Sequence, residues 1–262
     1  VTFTPTSTGT VQLTLTTNAV SPCSPATSIR TITVNPVPAA SITIAETSGN
    51  ANNDGTTCAG ATVSLTGQPN SMTAYSWSGG LGTGQSKSVS PVSTTTYQLT
   101  VTDANSCSAS AATTINVNPL PTPTIAITES SGTTVNDGTT CSGDNATLTA
   151  NPAAMLSYQW NNGLSPTQTN VVNPTSTTTY AVTVTNLNNC SASAVGTVNV
   201  NPLPNPTISV TETSGVANND GTICSASTVG LVANPGGLSA YSWSNGLGTG
   251  ASKSVAPTAT TT

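Results

Sequence analysis

Three loops hold the residues best placed to do chemistry. ETSGNANNDGTTC from Glu46, ESSGTTVNDGTTC from Glu129 and ETSGVANNDGTIC from Glu212 each set a Glu eight residues before an Asp, giving the pairs Glu46 and Asp54, Glu129 and Asp137, Glu212 and Asp220. Carboxylates with Asn and backbone carbonyls between them are hard oxygen ligands of the kind calcium takes, and calcium is therefore the one candidate cofactor. Two carboxylates fall short of the roughly six to eight oxygens that calcium collects. Asn-Asp-Gly is also a tight-turn signature, because Gly accepts positive φ and Asp bonds the backbone beyond it. The turn is the stronger reading.

The six cysteines, Cys23, Cys58, Cys107, Cys141, Cys190 and Cys224, are the other reactive groups. The chain has no His and no C-x-x-C pair, which removes the usual zinc spacings. Structural thiols in a charge-poor β chain read as disulfides and hence as an oxidising, extracellular location. The expected pairs are Cys58 with Cys107 and Cys141 with Cys190, leaving Cys23 and Cys224 with partners elsewhere. Closing a loop of about 50 residues is worth roughly 4 kcal/mol by chain entropy. A competing set, Cys23 with Cys58, Cys107 with Cys141 and Cys190 with Cys224, satisfies all six, but only if the chain folds back between them, since a strand advances about 3.3 Å per residue. The preferred set has a difficulty too. In immunoglobulin topology the corner before the second strand and the last hairpin lie at opposite ends.

Catalysis is not expected. Without His there is no ordinary general base, and no G-x-S-x-G elbow, phosphate loop or paired-carboxylate cleft occurs. Hydroxyls are plentiful, but a hydroxyl without a base is not a nucleophile.

The elements that carry these residues repeat. Trp77, Trp160 and Trp243 are spaced by 83 residues, as are the Asn-Pro pairs at Asn35, Asn118 and Asn201. The expected division is the later half of a module over 1–35, whole modules over 36–118 and 119–201, and the earlier part of another over 202–262. Period-two alternation dominates inside a module: in TYQLTVTD, Tyr97, Leu99 and Val101 point one way and the polar residues the other. Strands are expected at Ala40–Glu46, Ala61–Thr66, Thr73–Ser78, Ser86–Ser90, Thr95–Thr102 and Ser108–Val117, with Gly, Asn, Asp and Pro between them. Short strands at such spacing predict an all-β fold of tandem immunoglobulin-like sandwiches. Trp77, Trp160 and Trp243 are expected to fill the space between sheets. Tyr97 and Tyr180 are expected either in a corner pinned by the hydroxyl or simply in the core.

Only 4% of residues are charged and the net charge is −5, with Arg30, Lys87 and Lys253 the sole cations. Phosphate neutralisation, and so nucleic acid binding, is not expected. No apolar run approaches the roughly 18 residues of a membrane span. The chain begins without Met inside a module, so it reads as a piece of a longer one. Little charge repulsion opposes side-by-side packing, and a homo-oligomer or fibre of identical chains is expected.

With YSWSGGLG at Tyr75, TTTYQLTVTD before Cys107 and VNPLP at Val117 and again at Val200, the chain resembles the tandem immunoglobulin-like and PKD-like repeats of giant Bacteroidota surface adhesins and gliding or appendage filaments exported by the type IX system. The resemblance implies an extracellular structural stalk or filament that reaches other cells or surfaces through regions outside these residues. The alternative is a ligand- or carbohydrate-binding adhesion module, with or without calcium.

Overall fold

In the computed structural model, residues 2, 4–18 and 21–260 are described. Val1 and Thr262, the outer limits of the first and last expected modules, lie outside the described residues. All regular structure among the described residues is strand, and the fold is all-β. The first hairpin joins β1 (Gly9–Thr16) to β2 (Thr27–Val34). Eight strands follow: β3 (Ser41–Ala45), β4 (Thr56–Cys58), β5 (Val63–Gln68), β6 (Ala74–Trp77), β7 (Gly82–Thr83), β8 (Ser86–Val89), β9 (Thr95–Thr102) and β10 (Ser108–Asn118). Next come β11 (Thr124–Glu129), β12 (Thr139–Cys141), β13 (Ala146–Asn151), β14 (Ser157–Trp160), β15 (Thr169–Val172), β16 (Thr178–Thr185) and β17 (Ser191–Asn201). The last are β18 (Thr207–Thr211), β19 (Val229–Asn234), β20 (Ser242–Trp243), β21 (Gly248–Thr249) and β22 (Ser252–Val255).

The chain divides into two compact units. One comprises Val1–Ile127, Thr147–Asn170 and Thr179–Gly196, the other Thr128–Ala146, Val171–Thr178 and Thr197–Thr262. The first contains a complete sandwich. One sheet has the order β3-β5-β8, the other β4-β10-β9-β6-β7. Alternation decides which side chains meet between them, because successive residues of a strand face opposite ways. Val63 and Leu65 of β5 and Leu99 and Val101 of β9 are wholly buried, and Tyr75, Trp77, Val89, Tyr97 and Ile115 join the same cluster. Each large apolar side chain so buried contributes about 1.5–3 kcal/mol. The six expected strands of this region form, and β4 and β7 are additional.

β4 is only three residues long, and it lies parallel to β10, with Thr56 opposite Asn116 and Cys58 opposite Asn118. The other strands of this sandwich pair antiparallel wherever their register is defined. A similar order recurs further along, as β11-β13-β15 and β12-β17-β16-β14, and β12 again runs parallel to the strand whose end it meets, with Cys141 opposite Asn201. In the second unit β18-β19-β22 and β20-β21 form separate small sheets. This strand order, with one short first-edge strand parallel to the last, is immunoglobulin-like.

Candidate functional site: a disulfide beside the proline seam

β10 ends at Asn118, and Pro119, Pro121 and Pro123 follow within the next five residues. Proline fixes φ and offers no N–H, so these residues cannot continue a ladder and instead run on as extended chain. Cys58 is brought to this place by β4. Its neighbour Ala59 donates its N–H to the Asn118 carbonyl at 2.9 Å, which holds the cysteine beside the last residue of the strand.

Cys190 arrives from a different part of the chain, the hairpin between β16 and β17. Asn186 builds that hairpin: its Oδ1 accepts from the N–H groups of Asn188 at 3.0 Å and Cys190 at 3.1 Å. Its own N–H donates to the Cys190 carbonyl at 2.9 Å. The same side chain then ties the hairpin to the seam, because its Nδ2 donates to the Pro119 carbonyl at 3.0 Å. That carbonyl belongs to an exposed stretch that forms no strand. Here Cys58 and Cys190 form a disulfide, with Cα atoms 5.6 Å apart and 132 residues between them in sequence. The separation is typical of the bond.

The expected pairs Cys58–Cys107 and Cys141–Cys190 are therefore corrected, and the competing set is not formed either: Cys107 and Cys141 are half-buried thiols, and Cys23 and Cys224 are exposed thiols. The reason lies in the parallel register. Cys58 stands opposite Asn118 at one end of β10, whereas Cys107 immediately precedes Ser108 at the other end. Strand residues advance about 3.3 Å each, so some ten residues of strand keep the two cysteines more than about 30 Å apart, against the roughly 4.4–6.8 Å a disulfide spans. Cys141 likewise stands opposite Asn201, the last residue of β17, and its thiol is free.

The Glu–Asp loops serve this arrangement. Glu46 is 2% exposed, and its Oε1 accepts from the Asp54 N–H at 2.8 Å. Asp54 Oδ1 accepts from Thr56 N at 2.7 Å, and Asn53, with φ of 62°, accepts through Oδ1 from Glu46 N at 3.1 Å. Ser48 Oγ completes the fold-back by accepting from Cys58 N at 3.1 Å. Each bond pulls the loop onto the start of β4, so the loop determines where Cys58 stands. Glu129 with Asp137 and Glu212 with Asp220 repeat the geometry at 2.7 and 2.6 Å. The second carboxylate oxygen of each Glu is buried without a hydrogen-bond partner among the described residues. With Oε1 of each Glu engaged by a backbone N–H, the loops have the geometry of the tight turn, and no group of three or more His, Cys, Asp or Glu able to hold a metal occurs among the described residues.

Trp77 is 5% exposed and Trp160 7%, while Trp243 is half-buried. Their indole N–H groups donate to the carbonyls of Gly84, Thr167 and Gly250 at 2.8, 2.8 and 2.7 Å. Tyr97 and Tyr180 are both buried. Burial raises the Tyr97 phenol above its usual value, since the ring cannot ionise without solvent. Three further tyrosines pin a connection through the hydroxyl. Tyr75 Oη donates to the Pro69 carbonyl at 2.8 Å and accepts from Met72 N at 3.2 Å; Tyr158 and Tyr241 do the same with Pro152 and Met155, and with Pro235 and Leu238. The sequence signal for them is a Pro six residues before a Tyr, at Pro69, Pro152 and Pro235.

Neither a protein-family model nor a curated protein matches the chain. Among solved structures, murine CEACAM1b is similar at 14% identity and a TM-score of 0.28, over 62% of this chain and 100% of that one. The fibronectin(III)-like modules of Clostridium thermocellum CbhA are similar at 8% identity and a TM-score of 0.30, over 62% of this chain and 95% of that one. The mixed-linkage glucan protein SGBP-B of Bacteroides ovatus, solved with a heptasaccharide, is similar at 15% identity and a TM-score of 0.20, over 80% and 56%. These scores carry no argument about function. The class is defined by the strands themselves: an all-β chain of immunoglobulin-like sandwich domains with a disulfide that ties two of its segments.

Proposed function

We propose that this chain is a non-catalytic structural repeat segment of an extracellular stalk, adhesin or filament, divided into 83-residue modules at its proline seams. Its work is reach and mechanical endurance. The observation that carries the reading is the Cys58–Cys190 bond beside the seam at Asn118 to Pro123. A module held only by peptide chain transmits load through its own unfolding, whereas a disulfide carries the load past it. A stable disulfide also belongs to an oxidising compartment, which supports an extracellular place. No helix among the described residues is long and apolar enough to cross a membrane. The resemblance to Bacteroidota repeats exported by the type IX system agrees with this reading. With a net charge of only −5 on 262 residues, little repulsion opposes lateral association, and identical chains assemble side by side into a fibre.

Pulling the oxidised chain from its ends in a force spectrometer tests the mechanical reading. The 132-residue separation of the bonded cysteines corresponds to about 450 Å of extended chain. That length is expected to stay hidden until reductant is added. Full extension without reductant would show that the bond does not bear the load. Electron cryo-microscopy of the native material tests the fibre: several chains around one axis support it, and separate strings of beads make the protein a monomeric stalk.

A further inference from the structure

The half-buried thiols Cys107 and Cys141 stand in the same local frames as the two bonded cysteines. Cys141 N donates to Ser131 Oγ at 3.2 Å, as Cys58 N does to Ser48 Oγ at 3.1 Å. Ser142 N donates to the Asn201 carbonyl at 2.9 Å, as Ala59 N does to that of Asn118. Cys141 is thus set at the end of β17 beside Pro202, the start of the next seam. At the other end, Cys107 N donates to Asp103 Oδ1 at 2.8 Å, and Asp103 N donates to the Cys107 carbonyl at 3.0 Å, the same turn that Asn186 builds around Cys190. Each thiol is held by a loop that, elsewhere in this chain, holds half of a disulfide.

We propose that Cys107 and Cys141 are the outer halves of two further disulfides, so that successive modules are laced by one bond at every seam. The rule set by Cys58 and Cys190 joins the short-edge-strand cysteine of one module to the hairpin cysteine of the module after it. Cys141 therefore takes a hairpin cysteine of the Cys190 type from a following module. Cys107 takes an edge-strand cysteine of the Cys58 type from a preceding one. The inference builds on the structural-repeat reading and gives it a mechanism: each whole module is bonded forward through its edge strand and backward through its hairpin. Closure converts two thiols into one S–S bond with loss of two protons and two electrons, and the electrons reduce the disulfide of a thiol–disulfide exchange oxidant to its dithiol. Asp103 differs from Asn186 in having no side-chain amide to donate to a seam carbonyl.

Peptide mapping of the native material tests this. Free thiols are first blocked with N-ethylmaleimide, and the protein is then digested unreduced with pepsin, since Arg30, Lys87 and Lys253 give trypsin almost nowhere to cut. The expected result is Cys141 linked to a hairpin-type peptide, Cys107 linked to a Thr-Thr-Cys-type peptide, and neither carrying maleimide. Maleimide on both, or a bond between Cys107 and Cys141, overturns the proposal while leaving the force experiment free to stand or fall separately. Electrophoresis without reductant identifies the source of the partners. A band at single-chain mass assigns them to the same chain, and multiples that collapse on reduction assign them to another copy. The isolated 262-residue chain is a second check: four thiols should react once it is unfolded without reductant. Two reactive thiols there, with Cys107 or Cys141 mapped to the bond that has closed, would contradict the rule.

Discussion

Gly67 and Leu99 form a packed pair whose sizes are matched, and changing them one at a time tests the core directly. Gly67 lies on β5, and a Cβ added there would sit 2.7 Å from Leu99 Cδ2 and 2.9 Å from Tyr75 Cδ1, closer than real contacts allow. Leu99 is wholly buried and Tyr75 is 7% exposed, so neither ring nor isobutyl group has open space to move into. Overpacking of this kind costs about 1–3 kcal/mol. The entropy that Ala removes from the unfolded chain returns about 0.4–1 kcal/mol. Gly67→Ala is therefore expected to destabilise the sandwich by about 1.5 kcal/mol. Further along the chain the same place is held by Ala150, whose N–H donates to the Gln168 carbonyl at 2.9 Å just as Gly67 N does to that of Gln85. There Val182 stands opposite Trp160, as Leu99 stands opposite Trp77, so a methyl gained on one strand coincides with a methylene lost on the other. Leu99→Val costs about 1 kcal/mol by itself, from one buried methylene and the small void it leaves. The double variant should recover most of the loss, with a coupling of about 1.5–2 kcal/mol, within the range found for residues in contact. Hydrogen exchange of peptides covering β5 and β9 reads the local opening free energy without assuming that the whole chain unfolds at once. Strictly additive losses of about 2.5 kcal/mol in the double variant would refute the reasoning.

Three further outcomes follow from the tyrosines and the loops. Tyr75→Phe removes both hydrogen bonds of the Pro69 to Met72 connection and should lower local stability by about 1–2 kcal/mol, whereas Tyr97→Phe should cost less; the reverse order by the same exchange measurement would restore the pinning role to Tyr97. Because burial raises the Tyr97 phenol, the folded state keeps a proton that the unfolded state releases above about pH 10. Stability from this source is fully present below that pH and is lost above it, so melting temperatures between pH 9 and 11.5 should fall less steeply in Tyr97→Phe than in the parent. Calcium at millimolar concentration, or its removal by chelation, should leave the melting temperature within about 1 °C, since Glu46 Oε1 and Asp54 Oδ1 are already engaged by backbone N–H groups. A rise of several degrees with calcium would return the Glu46, Glu129 and Glu212 loops to the list of metal sites.

The six strands expected between Ala40 and Val117 are legible because alternation is local: Tyr97, Leu99 and Val101 cannot share a face except as a strand, and Gly, Asn and Pro mark where each strand must stop. The Asn-Asp-Gly turns were legible for the same reason. β4 was not. Three residues, Thr56 to Cys58, carry no periodicity of their own, and they become a strand only because the Glu46 loop folds them along the end of β10. That parallel register sets Cys58 at the far end of the strand from Cys107, and it excludes the expected pairing of the two. The pinning hydroxyl of Tyr75 is not legible in the sequence, because its partner, the Pro69 carbonyl, is reached only once the connection has turned.

The sequence by itself determined the strand pattern, the burial of Trp77 and Trp160, and the presence of six thiols without a metal site's usual spacing. Those are properties of side-chain type and order along the chain. Which thiols bond is a property of distance in space, and distance was decided by the register of one short edge strand and by a hairpin brought to a proline seam from 132 residues away. A disulfide requires two Cα atoms within a few ångströms of each other, and no local pattern encodes that; only the packed tertiary structure does.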